Sequence, residues 1–113
     1  MNTEEMRQFA AETAAKLAAV ADACEQVLAT EPTGFVVTCA DVALAFKDGK
    51  PSVVTADRAT VYADESEARR IAAKVVNGSG SRGEARTFVE MLRRQAAASR
   101  ECVAELRRIH DLA

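Results

Sequence analysis

Two stretches of this chain place their apolar residues at alternating steps of four and three, and they bracket a middle that does not. Met6, Ala10, Thr13, Leu17, Val20, Cys24 and Val27 follow steps of 4, 3, 4, 3, 4 and 3. Ala85, Phe88, Leu92, Gln95, Ser99, Cys102, Leu106 and Ile109 follow steps of 3, 4, 3, 4, 3, 4 and 3. Each is a heptad seam, the mark of a long helix that needs a partner along one edge. Both are lean, because 24 of the 113 residues are Ala, and burying Ala removes little apolar area from water. Gln95 and Ser99 put polar groups into the second seam, where such residues cost stability and set register.

Charge makes the two seams natural partners. Residues 1–31 carry six acids and two bases, whereas residues 82–113 carry seven Arg and five acids. Pairing within one chain and pairing between subunits both satisfy this pattern. The second alternative predicts a homodimer held through Leu17, Val20, Cys24, Phe88, Leu92, Gln95, Ser99 and Leu106.

The element boundaries follow from local chemistry. Asn2 with Glu5 three residues later forms a capping box, Thr3 being a competing cap, and Pro32 with Gly34 closes the helix, so residues 3–30 are expected to be helical. Residues 35–39 are apolar and β-branched, and Val42, Leu44 and Phe46 alternate with alanines to occupy one face of a strand. Asp41 offers a tight turn between these runs, and Asp48-Gly49 is a hairpin signal. Pro51 cannot donate to a ladder, so the next strand begins after it or lies at an edge. Asp57-Arg58 turns into Thr60-Val61-Tyr62, which completes an antiparallel meander of three or four strands over residues 35–62.

Asp64, Glu65, Glu67, Arg69 and Arg70 crowd one short stretch and invite a reactive reading. Asp64 followed by Glu67 is instead a second capping box, with acids where the helix macrodipole favours them. Ala68, Ile71, Ala72 and Val75 share one face, so a helix is expected over residues 65–77, then a Gly/Ser linker over 78–83 and a long helix over 84–112. The whole is a single α+β domain: long helix, antiparallel meander, short helix, long helix.

Candidates for chemistry are few. GSGSRG at 78–83 matches G-x-G-x-x-G, but a dinucleotide site needs a second strand, and the chain is expected to remain helical to its end. Cys39 and His110, the sole histidine, are the one conceivable nucleophile and base, and His110 falls in the last turn of the last helix. One histidine and no cysteine cluster leave a zinc site short of ligands, and no cofactor is expected. Arg86, Arg93, Arg94 and Arg100 could line a phosphate backbone, although Glu84, Glu90, Glu101 and Glu105 are interspersed. Cys24, Cys39 and Cys102 are odd in number and widely spaced, which reads as reduced thiols of a cytoplasmic protein. The acidic opening MNTEEMRQF has no apolar run, so neither a signal peptide nor a membrane span is expected.

Residues 34–76, with two strands, a DG turn, a third strand and then ATVYADESEARRIAAKVV, form a layout that resembles small accessory proteins of phages and prophages. Several anti-CRISPR inhibitors are among them. The resemblance implies a phage- or mobile-element-encoded inhibitor, not an enzyme, that occludes a surface of a host complex. The residues themselves, spent on helix seams and a sheet with no convergent reactive groups, point to a protein–protein interaction module. The alternatives are a nucleic-acid binder using the Arg-rich terminal helix and a small enzyme using Cys39 or the Gly-rich loop.

Overall fold

A computed structural model describes residues 2–76, 78 and 80–112. The element order is α1 (Thr3–Leu28), β1 (Phe35–Cys39), β2 (Val42–Lys47), β3 (Lys50–Val54), a 3₁₀ turn (Ala56–Arg58), α2 (Glu65–Ala72), β4 (Gly83–Thr87) and α3 (Phe88–Ile109). The α+β class and the succession of long, short and long helices around an antiparallel sheet match the sequence reading. Strand order is β3-β2-β1-β4, with every neighbour antiparallel. The α1–α3 pair covers one face of the sheet and α2 covers part of the other.

Local chemistry explains most of the boundaries. The Asn2 side chain accepts the Glu5 backbone N–H at 2.8 Å and starts α1, so Asn2 prevails over Thr3 as the cap. Both hairpins turn through two residues at positive φ, Ala40-Asp41 and Asp48-Gly49, the arrangement whose twist suits adjoining strands. Pro51 sits on β3, an edge strand, where its missing donor costs least. Asp64 caps α2 by accepting the Ser66 N–H at 2.9 Å. The expected strand at 60–62 reduces to a single bridge, Tyr62 with Phe35, whose N–H and C=O groups exchange two 2.8 Å bonds.

The main departure lies between α2 and α3. The second helix stops at Ala72 rather than 77, Val76 forms an antiparallel bridge with Arg82, and residues 83–87, the end of the expected linker and the start of the expected last helix, form β4. The Glu, Ala and Arg of GEART favour helix intrinsically. Tertiary context overrides them: β1 is buried and its free edge must be hydrogen-bonded, so β4 pairs along it from Phe35↔Thr87 to Cys39↔Gly83. Thr87 then caps α3 through the Glu90 N–H at 3.1 Å.

The two seams meet within one chain, which removes the sequence ground for a seam-held dimer. Their faces are rotated from the expected ones. In α3 the buried residues are Phe88, Met91, Leu92, Ala96, Ser99 and Val103, while Cys102 and Ile109 are exposed. In α1 they are Ala10, Ala14, Ala21 and Cys24, with Leu17 and Val20 half-buried and Met6 exposed. A straight helix drifts about 20° per heptad against a 3.5-residue repeat, and small alanines take the positions of closest approach. Arg100 supplies the electrostatic match, reaching Asp22 and Glu25 at 2.6 Å each.

Gly34 tests the join between the layers. Its φ is +106°, and a Cβ there would stand 2.6 Å from Val61 Cγ1 and 2.9 Å from the Tyr62 carbonyl oxygen. Gly49 also has positive φ, +78°, but opens on empty space. In urea denaturation Gly49→Ala should cost about 1 kcal/mol, the strain of a left-handed residue alone. Gly34→Ala should cost at least about 2 kcal/mol, because backbone must move as well. Equal losses would show that the loop yields freely.

Candidate functional site

Strands β1 and β2 direct alternate residues to opposite layers. Val36 and Ala43 join Cys24, Phe88, Met91 and Leu92 beneath the long helices, whereas Val37, Cys39 and Leu44 meet Ala68 and Ala72 of α2. The asymmetry lies in length. With eight residues, α2 packs over β1 and β4, reaches Leu44 of β2 and leaves the outer part of the β2–β3 half exposed. Val53 there is 72% exposed, Val76 60% and Val42 38%.

Two adjoining depressions occupy this exposed part. The outer one, about 310 Å³, is lined by Val42, Leu44, Pro51, Val53, Val75 and Val76 among others. The inner one, about 440 Å³, runs between the β2–β3 hairpin and the end of α2, with Phe46 and Tyr62 opposite Ile71 and Val75. Among the described residues, Lys74 is the one charged residue lining either depression. Burial, and then the nearby Glu67 carboxylate, push the Tyr62 phenol above its ordinary pKa. Sequence reasoning placed Val42, Leu44 and Phe46 on one face but did not identify this site. The signal present was three large residues on one strand face; the helix that could cover them proved shorter than the expected 65–77.

The seam residues serve the fold. Leu17, Val20, Cys24, Phe88, Leu92, Ser99 and Leu106 are buried or half-buried along the α1–α3 pair. Gln95 turns its Oε1 toward the Ala56 N–H at 3.3 Å, so this polar seam residue ties α3 to the 3₁₀ turn. The arginines are dispersed. Arg86 contacts Glu84 at 2.8 Å, Glu90 at 3.5 Å and Asp41 at 3.6 Å, and Arg94 shares Asp41 at 3.4 Å. Arg100 is held by Asp22 and Glu25, which together push its pKa upward. Arg93 is exposed on α3 and forms no ion pair among the described residues.

Cys39 and His110 do not converge. The Cys39 thiol is buried and donates to the Ser81 carbonyl at 3.4 Å. Its neighbour Asp41 pairs with Arg94, and His110 lies sixteen residues farther along α3, roughly 24 Å at helical rise. The His110 carbonyl accepts from Arg7 Nε at 3.3 Å. The glycine motif departs from a dinucleotide fingerprint differently than expected. A second strand does follow it, but Gly83 opens β4 rather than a helix, so no helix N-terminus faces the loop. Asn77 and Ser79, within and beside that loop, lie outside the described residues. Among the described residues no group of three His, Cys, Asp or Glu is placed to hold a metal ion, and no helix is long and apolar enough to cross a membrane.

Compared with family models, curated proteins and solved structures, the chain matches none.

The three thiols should separate cleanly under native alkylation at neutral pH. Cys102 is exposed and should label promptly, while Cys24 and Cys39 are buried and should wait for unfolding. Mass spectrometry reads the order, and prompt labelling of Cys39 would indicate an accessible nucleophile. Burial, reinforced by the Asp57 carboxylate that the thiol contacts at 3.8 Å, raises the pKa of Cys24. Its contribution to stability is therefore complete below the unfolded thiol's value, about 8.5, and is lost as pH rises through the folded value. Urea midpoints should fall between pH 7.5 and 9.5, and Cys24→Ala, though less stable overall, should show a shallower fall.

Proposed function

We propose that this protein is a non-enzymatic interaction module that docks the exposed outer part of its sheet's β2–β3 half on a protein partner and occludes the surface it covers. The observation that carries this reading is the contiguous apolar patch around Val53, Val42, Val76 and Pro51 on the α2 side. Contiguous exposed apolar patches mark protein or membrane interaction sites and ligand grooves. The separation of Cys39 from His110 supports the same reading. The layout over residues 34–76 extends it to an inhibitor of a host complex, of the kind mobile elements encode. Cys24 and Cys39 lie on opposite sides of the sheet and cannot pair with each other, which suits a reducing, cytoplasmic setting.

The nucleic-acid alternative has less support, because Arg86, Arg94 and Arg100 each spend their guanidinium on an acid of the same chain. Because most seam residues pack within the chain, the docking patch is the better surface for a partner, a second copy included.

A photo-crosslinking residue at position 53 separates the readings. In extract of the native host it should give one saturable protein adduct, competed by unlabelled protein and abolished by Val42→Asp in the same chain. The same group at position 93 should give none. Adducts from position 93 alone, or adducts with nucleic acid, would overturn the docking reading. Val53 is exposed, so its replacement should change stability by less than about 0.5 kcal/mol.

A further inference from the structure

The inner depression differs in kind from the docking patch beside it. Its volume, about 440 Å³, falls within the range of small-molecule sites, about 300–1,000 Å³. It has aromatic walls at Phe46 and Tyr62, aliphatic walls at Ile71 and Val75, and Lys74 at its margin. No acid lines it, and the Lys74 ammonium forms no ion pair among the described residues. Beyond burial, Glu67 and Arg70 stand near enough to the Tyr62 phenol to act on its pKa, Glu67 raising it and Arg70 lowering it. Apolar walls with one uncompensated cation match an occupant that is largely apolar and singly negative. An added β-strand fits poorly here, since the edge residue alongside is Pro51, which has no N–H to offer.

We propose that this pocket binds a small amphipathic monoanion, an aromatic or aliphatic body bearing one carboxylate or sulfonate, with its body against Phe46 and Ile71 and its anion at Lys74. The pocket adjoins the docking patch and shares Pro51, Val75 and Val76 with it, but the two readings are independent, and either holds without the other.

Two naphthylamine probes of similar shape test it: anionic 8-anilinonaphthalene-1-sulfonate and neutral N-phenyl-1-naphthylamine. The anionic probe should bind the folded protein saturably at one site, with amide NMR shifts confined to the neighbourhoods of Phe46, Tyr62, Ile71 and Val75. Lys74→Glu, a change at an exposed residue, should weaken the anionic probe roughly tenfold and the neutral one by less than about twofold, while Lys74→Arg keeps both. Dodecanoate should displace the anionic probe. The proposal is overturned if the probe binds without saturation or not at all, if Lys74→Glu affects both probes alike or neither, if the shifts map elsewhere, or if dodecanoate fails to compete.

Discussion

Strand β1 is the element on which the others depend. Val36 and Val37 are each 0% exposed, yet they face opposite layers, one beneath the long helices and the other beneath α2. Both edges of β1 are paired, with β2 on one side and β4 on the other. A five-residue strand therefore joins two apolar clusters, which β2 links a second time through Ala43 and Leu44. Buried backbone groups must find partners, and this requirement draws residues 83–87 away from their helical preference into the sheet.

The long helices meet through small residues rather than large ones. Ala10, Ala14 and Ala21 lie against the α3 side, while Val103, Ser99 and Ala96 answer them. Such surfaces bury little area per residue, so close approach and end-to-end ties assume more of the load. Arg100 ties the middle of α3 to Asp22 and Glu25, and Arg7 ties the start of α1 to the His110 and Asp111 carbonyls at the far end. Among the described residues, Arg100 with Asp22 and Glu25 supplies the ion pairs that join the acidic and Arg-rich ends of the sequence.

The functional argument comes from a mismatch of coverage. Two helices of 26 and 22 residues cover one face of a four-stranded sheet, whereas eight residues of α2 share the other. What α2 leaves bare is the side of β2 and β3 that carries Val42, Phe46, Pro51 and Val53. The patch and the pocket share Pro51, Val75 and Val76, so an occupant of one stands beside an occupant of the other.

Where chemistry is local, the sequence alone determined the outcome. Asn2 and Asp64 cap helices, Asp41 and Asp48-Gly49 turn strands, and Pro51 lies at an edge, because each effect acts within a few residues of its cause. The α+β class followed from the two periodicities. The tertiary structure decided whatever depends on partners distant in sequence: that GEART pairs with β1, that the seams close within the chain, that Gln95 serves the Ala56 N–H, and that Cys39 and His110 remain apart. It also decided the candidate site, since a cavity is defined by what fails to cover a surface, and that absence has no signature in any single run of residues.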